Sequence, residues 1–440
     1  MKYDKFFELA KQAGIQDAEL YISQSYSLSF SLFHGEVENY TSSNGYSIIA
    51  RGLLNGKFGS ATCDVWNKDK AAYLVKEIAT NASLSENDDP VFIFGGSPKY
   101  KRVNTFNGDL EKIPVETKMN ALYELEKKIK EVDSRICEIE SVGYEESKST
   151  LTLLNSKGLK LTQKNNDFVV YGAALAKEGD QTKSNFEIFF DNDFSKFDVD
   201  SLAKKIGEGA IEQLGGEPCL TGNYKTVLAP EAFRYLLSFY VGQADAEEIQ
   251  KQSSLFIGKL NEKVASKKVT ITDMPLKKSL FSRYFDDEGV ATSNRDIIKN
   301  GVLKTYLYNL TTAAKDGVET TGNAQRSGST IGAGPFFLVA KPGRKTQEQL
   351  FEEIKDGVYI TSISGLHSGL NPQSGNFSLV ASGFVVEDGK KGRGLDMVTI
   401  SGNLKNLFMN IVELGNDVKI FPNAVSCPSV YIKKLSVTGK

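Results

Sequence analysis

Sixteen of the 39 glycines fall between Gly301 and Gly402, and no other feature restricts the fold as strongly. Glycine at that density opposes long helices and suits tight turns between short strands, where backbone must bend sharply or approach something closely. The platform it belongs to opens with Arg283-Tyr-Phe-Asp-Asp-Glu-Gly-Val290 and passes through Gly301-Val-Leu-Lys-Thr-Tyr-Leu307 and Thr321-Gly-Asn-Ala-Gln-Arg326. It closes on Gly365-Leu-His-Ser-Gly-Leu-Asn371 and Ser374-Gly-Asn-Phe-Ser378. One short helix is predicted to interrupt it at Thr346–Asp356, with Thr346 and Gln349 as a capping box and Gly357 as the stop.

The 440 residues imply two or three domains. Phe6, Phe7, Leu9, Ala10 and Ala13 share a helical face that Gly14 ends. Leu28, Phe30 and Leu32 alternate with serines as a strand with one buried face, and Asn55-Gly56 joins two further strands, Tyr46–Leu54 and Lys57–Thr62. Helices are predicted from Asn67, from Pro114 and over Asp198–Leu214, with strands at Ser149–Gln163, Phe168–Ala176 and Asn185–Phe190. Gly215-Gly-Glu-Pro218 is the best boundary, followed by a strand at Lys225–Ala229, a helix at Pro230–Gln243 and a last strand at Pro428–Leu435. The expected class is α+β: antiparallel or mixed sheets with packed helices first, then a β-rich half, barrel- or sandwich-like, with few helices. The expected units are 1–108, 109–217 (separate or merged with the first) and 218–440.

Lys plus Arg (53) nearly balance Asp plus Glu (55), which leaves no electrostatic footprint for nucleic acid or an anionic membrane. Cys63, Cys137, Cys219 and Cys427 form no CxxC pair and read as buried free thiols of a reducing compartment. No apolar run approaches the ~20 residues of a membrane span, and the amphipathic start is unlike a signal peptide, so a cytoplasmic protein is expected.

The histidines, His34 and His367, are the only two, which excludes any motif with two histidines one helical turn apart. His34 precedes a turn at Gly35 and reads as structural. His367 lies in a Gly/Ser/Asn-rich loop, as contact residues often do. A Ser-His-Asp arrangement would recruit Ser364, Ser368 or Ser374 with Asp286, but no nucleophile-elbow sequence accompanies it. Asp286, Asp287 and Glu288 read first as a solvated turn, with Gly289 beside them; the functional reading is a polar edge facing a peptide channel or a partner. Arg326, beside Asn323 and Gln325, suits either a carboxylate or phosphate clamp or an ordinary ion pair. Gly332-Ala-Gly334 is followed by a strand pattern rather than a helix, against nucleotide binding.

The Phe285–Val290 run, "NGVLKTYL" and "TGNAQR", with Ala246-Glu-Glu-Ile249, Ser253–Leu260, Gly35–Glu38 and Gly45–Gly52, resemble the TldD/PmbA family, also called modulator of DNA gyrase or peptidase U62. The likeness spans nearly the whole chain in order. In the catalytic, TldD type the resemblance implies a His-Glu-x-x-x-His helix after a strand like Lys225–Ala229, with a cysteine ligand nearer the C-terminus. Here the matching helix reads Leu236-Leu-Ser-Phe-Tyr-Val-Gly-Gln243, and Cys427 stands directly before Pro428. The chain thus resembles the metal-free TldE/PmbA type. The resemblance implies no cofactor in this chain, zinc in a TldD-like partner, a heterodimer with that partner (a homodimer when alone), and unfolded or leader peptides as substrates. Glycine-rich strand edges suit such peptides by β-augmentation. An independent peptidase with a relocated site, and a binding regulator without proteolysis, are the alternatives.

Overall fold

In the computed structural model, which describes residues 3–86 and 88–440, the N-terminal half is built on one antiparallel sheet. Its strands are β1 (Asp17–Phe33), β2 (Glu36–Leu54), β3 (Lys57–Cys63), β4 (Ile136–Asn155), β5 (Lys160–Glu178) and β6 (Gln181–Asp191). They run in the order β3-β2-β1-β4-β5-β6. Two-residue turns set the register. His34-Gly35 and Asn55-Gly56 both have two consecutive positive φ angles, the twist that lets antiparallel strands continue.

The strands are longer than the sequence predicts. β1 and β2 have 17 and 19 residues, because pairing continues where hydrophobic alternation does not. The expected strand Ser149–Gln163 is divided by a turn at Ser156-Lys-Gly158, which separates β4 and β5, of 20 and 19 residues.

Helices lie on one face of this sheet, as expected. Leu20 and Ile22 of β1 pack with Phe6, Leu74 and Ile78 from the helices Asp4–Gln12 and Lys68–Leu84. Further along, Leu28, Phe30, Tyr144 and Phe168 pack with Leu122, Ile129, Leu202 and Ile206 from Val115–Glu131 and Val199–Ile211. Asn67 caps its helix through the N–H of Lys70, while Pro114 stands at the N-cap of its own.

The C-terminal half is strand-rich. Strands Gly222–Leu228, Gly357–Ser364, Asn376–Glu387, Lys390–Asn403 and Val430–Thr438 close into a barrel, because Lys390–Asn403 pairs with Val430–Thr438. A second sheet holds Ile271–Asp273, Arg295–Lys299, Val302–Leu303, Leu338–Ala340, Lys419–Phe421 and Val425–Cys427. The helix Pro230–Gly242 turns Phe233, Leu236, Leu237 and Tyr240 into the core that these sheets share.

Several details differ from expectation here. The platform contains three helical segments, Leu310–Asp316, Gln347–Ile354 and Leu366–Gly369, rather than one. Asn309 and Thr312 make the unforeseen capping box of the first. Some of the glycines serve close approach within strands rather than turns: a Cβ on Gly383 would stand 1.9 Å from the Tyr359 carbonyl oxygen. The Thr346/Gln349 capping box forms as read, but Lys355, at φ 58, ends the helix, and Gly357 begins the next strand. Cys427 ends Val425–Cys427 rather than lying in the last strand. The four thiols are free, and Cys137 is exposed while the other three are buried. No helix among the described residues is long and apolar enough to cross a membrane.

Candidate functional site

The face of β1 opposite the helices explains where the two halves meet. Its odd-numbered positions from Ser23 to Ser31 are serines, exposed or partly exposed, whereas Glu19 is fully buried and Tyr21 partly so. Glu19 stands opposite Arg51 of β2, and one of its oxygens, Oε1, accepts from Arg51 Nε at 3.1 Å and Nη2 at 2.9 Å. The same oxygen accepts from Nη2 of Arg326 at 2.9 Å, across 307 residues of sequence. Two guanidinium groups therefore share one carboxylate oxygen in a site where the side chains are 8% exposed or less. Arg326 also lies over the Tyr21 ring, 4.5 Å from its centre.

The acidic triplet completes this junction, and it is no solvated turn: Asp286, Asp287 and Glu288 are 0, 5 and 4% exposed. Asp286 accepts from the N–H groups of Glu288, Val290 and Ala324 at 2.9–3.0 Å. Asp287 accepts from Tyr21 Oη at 2.9 Å and from the Arg326 N–H at 2.7 Å, and pairs with Arg283. Glu288 accepts from the N–H of Leu310, at the start of a helix, at 2.8 Å. Gly289 holds φ 86 where a Cβ would meet Leu159 and Leu153, and its carbonyl accepts from Tyr100 Oη at 2.7 Å. Tight turns of carboxylates are buried at such cost only when backbone donors and arginines satisfy them.

Above the junction lies a cleft of 810 Å³ lined by Arg51, Glu288, Arg326, Asp245, Asn309 and Lys315, among others. One wall is the hairpin Ala324–Ser327/Thr330–Ala333. Two of its N–H groups are taken, Ala324 by Asp286 and Arg326 by Asp287. An extended peptide thus meets no free donor at these two positions.

Burial raises the Glu288 carboxyl above its usual range, against the pull of Arg51 and the Leu310 N–H. Burial, then the charge on Glu288, pushes Asp286 up to about 8. Asp245, which caps Ala246–Gln250 through the Glu247 N–H, is pushed up to about 6 by burial. The folded chain then keeps a proton on Asp245 that the unfolded chain has already lost between about pH 4 and pH 6. Stability contributed at this position falls as pH rises through that window. Asp245→Asn keeps a capping side chain, so its melting temperature relative to wild type should rise between pH 4 and pH 6, by up to about 2 kcal/mol of stability after allowance for solvent screening. A wild-type-to-variant difference that stays flat across that range contradicts the assignment.

The structure brings Asp286, Asp287, Glu288, Gly289 and Arg326 together. Asn323 stands beside them in a structural role, its amide donating to Asp273 at 2.7 Å and to the Gly334 carbonyl at 3.0 Å. His367 is elsewhere, exposed on the short helix Leu366–Gly369, and Ser364, Ser368 and Ser374 are exposed too. Asp286, fully committed to backbone amides, is no partner for that histidine, so the Ser-His-Asp arrangement is absent. Sequence reasoning missed Glu19, Tyr21 and Tyr100. Arg51 lay within the quoted Gly45–Gly52 run without being assigned a role.

Among the described residues, no three His, Cys, Asp or Glu side chains converge as a metal would require. The helix Pro230–Gly242 turns Leu236 and Tyr240, both fully buried, into the core. Tyr240 stacks on Phe408 with ring centres 4.0 Å apart and donates to the Val264 carbonyl at 2.6 Å. Cys427 is buried, and its thiol faces the Pro230 carbonyl at 3.5 Å.

Comparison with known proteins finds three family models in order: PmbA/TldA metallopeptidase domain 1 over residues 18–82, central domain over 108–214 and C-terminal domain over 221–439. The chain is 28% identical to a metalloprotease PmbA homolog of Buchnera aphidicola over 96% of its length and 93% of that protein's. It is 29% identical to a zinc metalloprotease TldD homolog of Saccharolobus solfataricus, over 60% of this chain and 63% of that one. Among solved structures, a protein of Thermotoga maritima described as a modulator of a DNA gyrase superposes with a TM-score of 0.92 at 31% identity, covering 99% of both chains. TldE of Thermococcus kodakarensis gives the same TM-score over 100% of both chains at 22% identity, a likeness of fold.

Proposed function

Because this chain belongs to the PmbA/TldD metallopeptidase family, we propose that it is the non-catalytic subunit of a TldD/TldE-type protease acting on unfolded and leader peptides. The carrying observation is the inward face of Pro230–Gly242. In the catalytic type a helix here is expected to present two histidines and a glutamate; in this chain the face is Phe233, Leu236, Leu237 and Tyr240, closed over by Phe256 and Phe408. Residues that fill a core cannot hold a catalytic metal, so the metal that the family name implies does not fit this chain. Zinc and the water it activates belong to the partner, a TldD-like chain.

This reading is supported by the buried junction as well. Every member of the acidic triplet is spent on backbone amides, tyrosine or arginine: Asp287 ties the two halves together through Tyr21, and Asp286 and Glu288 fix the turn that presents it. A subunit that shapes a peptide chamber needs that rigidity and needs no reacting group of its own.

Co-expression with a TldD-like chain from the same source tests the pairing. The expected result is one complex containing both chains, with zinc lost when the relative's His-Glu-x-x-x-His histidines are replaced. Separate migration of the two chains under all ionic conditions would sink the proposal.

A further inference from the structure

The charge balance of the whole chain conceals a local excess. At one end of the second sheet of the C-terminal half lies a cavity of 510 Å³. Five cations line it, Lys267, Lys268, Lys341, Arg344 and Lys345, against a single carboxylate, Glu413. The lining is therefore +4 on a chain whose net charge is -2. None of these residues lines the cleft above the junction.

Backbone hydrogen bonds fix both cationic walls. The Val269 N–H donates to the Ser266 carbonyl at 2.9 Å, closing a turn with Lys267 and Lys268 at its corners. The other wall is the stretch 341–345, which leaves the strand Leu338–Ala340 and is pinned beyond Ile411–Leu414. The Gly343 N–H donates to the Gly415 carbonyl at 2.9 Å, and the Asn416 N–H to the Lys345 carbonyl at 2.8 Å. A Cβ on Gly343 would stand 1.9 Å from the Leu414 carbonyl oxygen, so only glycine lets the loop lie this close.

Two of the five cations have partners: Lys268 Nζ lies 2.7 Å from Glu413, and Lys345 Nζ 2.6 Å from Glu353. Lys267, Lys341 and Arg344 are exposed, and among the described residues they have neither an ion pair nor a side-chain hydrogen bond. Three unneutralised cations around one cavity repel one another and attract an anion of matching charge. A lone carboxylate is satisfied by a single arginine, whereas two linked phosphoryl groups bring roughly three negative charges together. The cations surround a compact hollow rather than follow a track, which favours a small anion over a nucleic-acid backbone. We propose that this pocket binds a small anion carrying two or more linked phosphoryl groups. Lys267, Lys341 and Arg344 hold it, and the planar guanidinium of Arg344 takes two oxygens at once. The site stands apart from the proposed subunit role and is tested without a partner.

Isothermal titration of the full chain with inorganic pyrophosphate, in magnesium-free buffer of low ionic strength, reads the outcome. Saturable one-to-one binding that weakens as salt rises is expected. Lys341→Gln with Arg344→Gln should weaken it by about tenfold or more. Melting of the ligand-free chain should not change, because both side chains are exposed. Glu413→Gln removes the one lining acid and frees Lys268, so it should tighten binding. Lys160→Gln with Lys177→Gln removes the same charge from exposed sites of the N-terminal sheet and should bind as wild type. ADP in place of pyrophosphate distinguishes the sources: tighter binding assigns a nucleoside phosphate, and equal or weaker binding the phosphates alone. No saturable binding, or binding indifferent to Lys341→Gln with Arg344→Gln, overturns the proposal. So does a glutamate-rich peptide that saturates the chain where pyrophosphate does not; that result makes the pocket a contact for acidic polypeptide.

Discussion

Glu19→Ala should destabilise the chain by about 3–5 kcal/mol, because it removes the one carboxylate oxygen shared by Arg51 and Arg326 and leaves two guanidinium groups buried without it. The effect is larger than for a surface ion pair, which contributes about 1 kcal/mol or less. It should also be strongly non-additive. Arg326→Ala on top of Glu19→Ala relieves part of the repulsion between the two arginines, so the double variant should lose less than the sum of the single losses. Urea unfolding of the four members of this cycle checks both statements. Additive losses, or a loss below about 1 kcal/mol for Glu19→Ala, would mean that the junction is not what holds the halves in register.

Tyr240→Ala carries the second large effect. The ring stacks on Phe408, meets Phe256 edge-on with centres 4.9 Å apart, and ends in a hydrogen bond to the Val264 carbonyl. Truncation opens a cavity among rigid neighbours and should cost about 3–5 kcal/mol. Tyr240→Phe loses only the hydroxyl and should cost about 1–3 kcal/mol, the penalty of an unsatisfied buried carbonyl. Thermal unfolding separates the two. Equal melting of Tyr240→Ala and wild type would show that this helix face is not core, and would reopen it as a place for ligands.

Local chemistry was legible in the sequence wherever a single residue type fixes the backbone. Asn55-Gly56, the helix start at Asn67, Pro230 at a helix start and the Thr346/Gln349 box all form as read. Strand length was not legible, because β2 over Glu36–Gly45 is exposed on both faces and leaves no alternation to find. The acidic triplet was misjudged for a related reason. Three adjacent carboxylates are solvated unless donors surround them, and the donors here come from Tyr21 and from N–H groups as far along the chain as Ala324 and Arg326. Glu19 and Arg326 are separated by 307 residues, and nothing local marks them as partners. The histidine count, by contrast, needed no fold to be informative.

The most direct test of the central claim is peptidase activity on an unfolded polypeptide, measured for the purified chain alone, for a TldD-like relative alone and for the two mixed. The account predicts no cleavage by this chain at any concentration of added zinc, and cleavage by the mixture that disappears when the relative's metal-binding histidines are replaced. Turnover by this chain alone, growing with zinc and abolished by a chelator, would contradict it.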